Sequence, residues 1–361
     1  MGTRWVRGAN ANVLVTAAGS VVGEGIIKCL RLASSASEAP VKYRIIATDA
    51  SPLAAGLYRG DRGLLVPVAS APDYIDSLTD VARKEGVKAI FVGSDEELGP
   101  VTESRQKIEE ETGAAVIVNP PEVLAAARDK WETFVALRKL GLPHANSALP
   151  EGMDSFISEN SFPLVVKPRE GHGSIGFHVV KDREGAQEAI SFIERLGWHP
   201  VLQEFLGDGD QEFTTGVVVD AHGKDVISSI AMRRKLKGGQ TYKAFVDDFK
   251  DVRRSAEEIA LKIGCRGPLN VQARMVGDKL KVFELNPRIS ASSPIRAVAG
   301  VNEPDILYRN TVLGEEMRVS TYAKIASFRY WNEVYVPLET VEGMAKEGEG
   351  TGRESFVPDY F

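Results

Sequence analysis

Over the first 120 residues, short β-branched runs alternate with amphipathic stretches. Val13 to Thr16 reads as a buried strand, and Gly19-Ser20-Val21-Val22-Gly23 turns into a helix reaching about Leu32. Tyr43 to Thr48 is a second strand, closed by Asp49. A helix over Asp73 to Glu85 and strands at Ala89 to Val92 and Ala115 to Val118 complete the pattern. Alternating strands and helices argue for a parallel, doubly wound sheet. Asn119-Pro120-Pro121 then marks a boundary. Helices are expected from Pro121 to about Ala127 and from Asp129 to Leu140, where Gly141-Leu142-Pro143 stops the second.

The character changes at Pro163. Strands at Leu164 to Lys167 and Gly176 to Val180 flank a glycine-rich loop. A helix over Asp182 to Leu196 and a strand over Pro200 to Phe205 follow, giving a small α+β unit of ~75 residues. From Glu212 the pattern is antiparallel: Glu212 to Asp220, Val226 to Met232, Asn270 to Met275 and Lys279 to Leu285. Val252 to Ile263 is an amphipathic helix, a further helix leads from Asn302 to Gly314, and a strand is expected over Ser327 to Val336. The acidic, glycine-rich end, closing in Asp359-Tyr360-Phe361, is expected at the surface. The division is therefore 1–120, 121–205, 206–325 and 326–361.

Composition changes this picture little. A chain of 361 residues is too long for one small core. A net charge of −6 gives no general attraction to nucleic acid or anionic lipid. Cys29 and Cys265 form no CxxC pair and the five histidines show no HExxH spacing, so a zinc site is unsupported. No apolar run reaches the ~18 residues of a membrane span. Arg4 and Arg7 ahead of Val13 to Ala18 faintly mimic a signal peptide, but a long apolar centre is missing. The expectation is a cytoplasmic protein.

Candidate chemistry gathers in three places. In Phe283-Glu284-Leu285-Asn286-Pro287-Arg288, a strand would point Glu284 and Asn286 to one face, as a hard divalent cation requires. Val276-Gly277-Asp278 turns the chain, so Gln272 can face Glu284 across a hairpin. The second place is Lys167-Pro168-Arg169-Glu170-Gly171-His172-Gly173-Ser174-Ile175-Gly176, a loop rich in unhindered N–H groups that suit phosphate oxygens. No GK[ST] follows, so it is not a Walker loop. The third is Gln203-Glu204-Phe205-Leu206, followed by Gly207 and Glu212, where a chain passing between domains offers backbone groups to an adenine edge. A solvated acidic loop, Asp208-Gly209-Asp210, explains the charges there equally well.

Together, in this order, and with the lysine of Asp129-Lys130-Trp131, these landmarks resemble the ATP-grasp ligases. The resemblance covers roughly residues 12–315 and points to the carbamoyl phosphate synthase large chain and related amino-acid ligases. Asn286-Pro287-Arg288-Ile289-Ser290 with Ser292-Ser293 is especially similar to the synthase-like branch. The implied fold is mixed α/β and α+β. A Rossmann-like parallel sheet would precede a small α+β lid and a larger antiparallel-sheet domain.

The resemblance also implies roles. Lys130, Lys167 and the loop residues Gly171, His172, Gly173, Ser174 and Gly176 would hold ATP phosphates. Gln203, Glu204, Phe205 and Leu206 would meet adenine, and Glu212 the ribose. Glu284 and Asn286 would bind magnesium or manganese, with Gln272 in or next to that shell. Arg288, with Lys167, would act on the transferring phosphoryl group; Arg234, read from the residues alone, is a candidate to bind an acidic substrate or the γ-phosphate. The implied reaction joins a small carboxylate, such as an amino acid, to an amine through an acyl phosphate. A homodimer is part of the same resemblance.

Alternatives stay open at the level of sequence. One ATP-grasp unit without a glutaminase does not make a complete carbamoyl phosphate synthase, so part of a split synthase is an alternative. A non-catalytic ATP-binding protein is another. Gly19-Ser20-Val21-Val22-Gly23 with Asp49 suggests a nicotinamide site, but its spacing is GxxxG rather than GxGxxG. Arg233-Arg234-Lys235 and Lys237-Gly238-Gly239-Gln240-Thr241 read as a substrate-binding or solvated basic loop after a strand. Ser94-Asp95-Glu96-Glu97 reads as a helix cap or an amine-binding edge.

Overall fold

The computed structural model describes residues 9–171, 175–209 and 211–359. Arg4, Arg7, His172, Gly173, Ser174, Asp210, Tyr360 and Phe361 lie outside the described residues.

The N-terminal elements are β1 (Ala9–Val15), α1 (Val21–Ser35), β2 (Val41–Asp49), β3 (Arg62–Leu65), α2 (Tyr74–Lys84), β4 (Ala89–Phe91), α3 (Asp95–Glu103), α4 (Arg105–Thr112) and β5 (Ala115–Ile117). The strands pair in parallel in the order β3-β2-β1-β4-β5. Both faces of this sheet are covered, so its strands read as apolar runs rather than as alternation. Val13, Leu14 and Val15 are all fully buried. The order reverses between β1 and β4, which opens a crevice at their carboxyl ends. Two glycines let the chain close there. A Cβ on Gly23 would stand 2.3 Å from the Ala17 carbonyl oxygen, and one on Gly93 1.9 Å from that of Thr16. Ser20 Oγ accepts from Gly23 N at 2.9 Å, capping α1, and donates to Gly93 O at 2.6 Å.

Next come α5 (Pro121–Arg128), α6 (Lys130–Lys139), β6 (Ser147–Ala148), α7 (Met153–Asn160), β7 (Leu164–Pro168), β8 (His178–Val180), α8 (Arg183–Arg195) and β9 (Pro200–Glu204). The four strands form an antiparallel sheet in the order β6-β9-β7-β8. This lid has a core of its own, with Phe156, Leu164, Val166, Ile190, Ile193 and Leu202.

The remaining elements are β10 (Glu212–Val219), β11 (Val226–Lys237), β12 (Gln240–Val246), α9 (Lys250–Lys262), β13 (Pro268–Val276), β14 (Lys279–Asn286), α10 (Ser293–Ala299), α11 (Glu303–Thr311), β15 (Ile325–Phe328), α12 (Leu338–Glu347) and β16 (Glu349–Gly350). Six of these strands make an antiparallel sheet in the order β14-β13-β10-β11-β12-β15. The expected basic loop is corrected here. Strand β11 runs on to Lys237, and Gly238 and Gly239, with φ of +57° and +73°, turn it into β12. Cationic residues crowd that strand end, so hydrophobic alternation did not reveal it. The strand expected over Ser327 to Val336 is instead the shorter β15. The tail is bound: β16 adds antiparallel to β3, and Arg62 Nη2 meets Glu349 Oε2 at 2.6 Å.

One core joins the first and last units. It takes Val13 and Val15 from β1, Ile26 and Leu30 from α1, Ile230 and Met232 from β11, and Ile306 and Leu307 from α11. A buried ion pair lies beside it. Arg296 Nη1 meets Glu303 Oε1 at 2.9 Å, with side chains 0% and 3% exposed. Gly216 leaves room for the pair, because a Cβ there would lie 1.8 Å from Glu303 Oε1. Among the described residues, no helix is long and apolar enough to cross a membrane.

Candidate active site

A cleft of about 680 Å³ opens between the lid, the antiparallel sheet and the crevice of the parallel sheet. Of the described residues expected from the sequence, all but Gly176 and Asn286 line it.

Lys130 opens α6, and its Nζ donates to Arg169 O at 3.3 Å and Gly171 O at 3.1 Å. It therefore tethers the start of the glycine loop. Lys167 sits on β7, and its Nζ donates to Gln203 Oε1 on β9 at 2.8 Å. Both lysines are buried. Burial pushes the Lys167 ammonium down to about 7, with the like charge of Lys130 adding to the effect against Glu284 and Glu212. Gly171 lines the cleft with φ of +125°. Gly176, with φ of +73°, packs against Pro168 behind the loop and is not among the residues lining the cleft.

At the hinge, Glu204 is fully engaged. Its N donates to Asn146 O at 2.9 Å, and its carboxylate accepts from Asn146 N at 2.6 Å and Lys281 Nζ at 2.6 Å. Phe205 and Leu206 lie beyond the pairing of β9 and line the cleft. Glu212 opens β10 and is clamped by two arginines. Arg234 Nε donates to its Oε1 at 2.9 Å, and Arg274 Nη2 donates to its Oε2. Arg274 also donates to Gly207 O at 2.6 Å, which ties down the hinge loop. Sequence reasoning missed Arg274. Its signal is the cross-strand register Glu212↔Arg274, which appears only once β10 and β13 are paired.

The expected hairpin forms. Gln272 stands opposite Glu284 and Asn270 opposite Asn286, with a bulge after Gln272. Glu284 Oε1 accepts from Gln272 Nε2 at 3.2 Å and Asn286 Nδ2 at 3.0 Å. The amide oxygens face arginines: Arg234 Nη2 reaches Gln272 Oε1 at 2.6 Å, and Arg288 Nη2 reaches Asn286 Oδ1 at 3.2 Å. Burial works against ionisation of Glu284, but Lys130 and Lys167, the Asn286 bond and Arg234 hold its carboxyl below the ordinary carboxylate range. Its Oε2 accepts no hydrogen bond among the described residues. One ionised carboxylate flanked by two amides is a hard oxygen set, and an amide oxygen that turns to a cation gives up the arginine it accepts from. These residues fit magnesium, with water and phosphate oxygens completing the shell.

Arg288 is held from the other side. Its Nε and Nη2 meet Asp95 Oδ1 and Oδ2 at 2.8 and 3.0 Å, a two-pronged contact between the hairpin and the first turn of α3. Ser94 caps that helix, its Oγ accepting from Glu97 N at 3.3 Å, as the cap reading expects. Asp95 is thus committed to Arg288, a pairing across 193 residues of sequence. The pairing also gives the acidic turn a job that the cap reading alone did not supply.

Residues 13–117 match a family described as "PylC-like, N-terminal domain". Residues 200–334 match one described as "ATP-grasp in the biosynthetic pathway with Ter operon". Among solved structures, the N5-carboxyaminoimidazole synthetase of Staphylococcus aureus complexed with ADP is similar, with 15% identity and a TM-score of 0.67 over 95% of this chain and 87% of that one. So is the biotin carboxylase domain dimer of Hydrogenobacter thermophilus 2-oxoglutarate carboxylase, in complex with MgADP, ADP and bicarbonate. There the identity is 17% and the TM-score 0.64, over 86% of this chain and 71% of that one. Residues 200–334 thus match an ATP-grasp family model, and the fold is the one these ATP-grasp enzymes share.

The sequence is similar to the carbamoyl phosphate synthase large chain. Identity is 25% over 303 residues with the Streptomyces avermitilis protein, covering 77% of this chain and 26% of that one. It is 29% over 212 residues with the Corynebacterium glutamicum protein, covering 53% and 18%. The chain therefore spans about a quarter or less of the length of these relatives.

Proposed function

We propose that this protein is a magnesium-dependent ligase that joins a small carboxylate, such as an amino acid, to an amine, with release of ADP and phosphate. The observation that carries this reading is the pair Lys130 and Lys167, buried against the Glu284 hairpin in one cleft. Two buried ammonium groups side by side are unfavourable without a polyanion. A triphosphate supplies one, and Glu284, Asn286 and Gln272 hold the cation that travels with it. Bound magnesium would neutralise phosphate charge; manganese, with the same oxygen preference, would substitute.

The substrate carboxylate oxygen bonds to the γ-phosphorus as the bridging bond to ADP breaks. The amine nitrogen then bonds to the acyl carbon, the carbon–oxygen bond to phosphate breaks, and the nitrogen loses a proton. Lys130, Lys167 and Arg288 position and neutralise the moving phosphoryl group. The glycine loop and lid exclude water, which would otherwise hydrolyse the acyl phosphate. Phe205 and Leu206 take the adenine, and Glu212, fixed by its two arginines, takes the ribose. Location in the cytoplasm and a homodimer belong to the same reading, the latter because the Hydrogenobacter domain is described as a dimer.

The test is release of ADP and phosphate on screening amino acids and small carboxylates, singly and in pairs, with magnesium. Release with a specific acid and amine together supports the reading. ATP binding with no release from any pair replaces it with a binding role.

A further inference from the structure

The cleft continues past Arg288. Its walls are the first turn of α1, the turn between β4 and α3, the hairpin between β11 and β12, and the chain after β14. The other arginines that line the cleft are already matched. Arg288 is held by Asp95, while Arg234 and Arg274 are held by Glu212.

Arg329, just after β15, is different. Its backbone N donates to Tyr242 O at 3.0 Å, and its Nη2 donates to Ala291 O at 2.6 Å. No carboxylate lies within ion-pair reach of it among the described residues. Glu24, the carboxylate whose charge it feels, pairs with Lys28 at 3.7 Å instead. Arg329 is half-buried, and burial draws its guanidinium below the ordinary arginine value. A charge kept partly out of water without a counter-charge is costly, and an arriving anion relieves that cost.

A second, separate observation falls on the same spot. Ser292 Oγ and Thr241 Oγ1 share one hydrogen bond at 3.1 Å, and both residues line the cleft while only 3% and 4% exposed. Two hydroxyls carry two protons, so one bond between them leaves one proton to give. No other acceptor for it exists among the described residues. Thr241 adjoins Tyr242 and Ser292 adjoins Ala291, the two residues that anchor Arg329. The guanidinium and the spare hydroxyl are therefore built on the same two segments. Ala291 is three residues from Arg288, a span of at most ~11 Å along an extended chain.

We propose that Arg329, with the Thr241–Ser292 hydroxyl pair, forms a specificity-determining subsite for a non-reacting carboxylate of the substrate, carried by the acid or by the amine. Which end reacts rests on the ligase reading above; binding of the anion does not.

Two arms separate the sources. Succinate and glutarate are compared with butyrate and valerate as the acid, and glycine and alanine with methylamine and ethylamine as the amine. Phosphate release is measured for the protein, Arg329→Gln and Thr241→Val. The expected result is that one arm prefers the compound with the extra carboxylate. Arg329→Gln then lowers kcat/KM for that compound by about 10²-fold, and Thr241→Val by about tenfold. The KM for ATP should shift by less than about threefold in both variants. Equal losses with and without the carboxylate, or no preference in either arm, overturn the proposal.

If no pair releases phosphate, the ligase reading fails, and the subsite is read by calorimetric titration of the same compounds into protein saturated with MgADP. Binding of the carboxylate-bearing compounds, lost in Arg329→Gln, upholds it. Absence of binding, or binding unchanged in that variant, overturns it.

Discussion

Lys167 should take up a proton when the nucleotide binds. Without ligand, burial and Lys130 hold its pKa at about 7. A bound triphosphate adds negative charge beside it, which favours the ammonium form and raises the pKa. Below pH 7 the ammonium is present in both states and affinity is flat. Above pH 7 the free protein must first be protonated, so affinity falls with rising pH until the raised, bound-state pKa is passed. At one unit above its free pKa, about one Lys167 in ten is charged. Binding at pH 8 should then capture about 0.9 proton, and each further unit should cost about tenfold in affinity, or ~1.4 kcal/mol. The assay is calorimetric titration of a non-hydrolysable MgATP analogue at pH 8, in buffers of different ionisation enthalpy. The apparent enthalpy should vary linearly with that of the buffer, and Lys167→Met should remove most of the slope. A slope of zero, or the same slope in Lys167→Met, refutes the assignment of Lys167 to the phosphates.

Other substitutions probe separate parts of the argument. Glu284→Gln removes the sole carboxylate of the hairpin set and should reduce magnesium-dependent phosphate release at least ~10²-fold; unchanged turnover would remove the metal from this hairpin. Gly93→Ala forces a Cβ to within 1.9 Å of the Thr16 carbonyl oxygen, so urea unfolding should show a loss of about 1–3 kcal/mol or more. Glu303→Gln leaves the fully buried Arg296 without its counter-charge, and the loss should approach ~3–5 kcal/mol. Replacing both members by Met and Leu should be milder than the single change, as thermal melts of the three variants would show.

Four strands of the parallel sheet were legible because apolar runs and helix starts alternate with turn residues, and the Ser94 cap lies where the pattern places it, while the short β3 was not foreseen. The hairpin that pairs Gln272 with Glu284 was legible because Gly277, with φ of +63°, sets a short turn and fixes the register. What stayed hidden is mostly long-range. Arg274 with Glu212 depends on which strand neighbours β10, and Asp95 with Arg288 joins elements that only tertiary packing brings together. Strand β12 was missed because cationic residues fill the end of β11 and obscure the alternation. Strand β16 consists of only Glu349 and Gly350, too short for any periodicity.

The core shared by α1, β11 and α11 bears on how the substrates bind. It fastens the parallel sheet to the antiparallel one, and β16 straps the end of the chain back across β3. The chamber around Arg329 and Arg288 is therefore assembled before any ligand arrives. The lid is packed on a core of its own, and it carries Lys167 and the start of the glycine loop. On the proposed reading, any motion on nucleotide capture falls to the lid, while the acid and amine meet a surface already set.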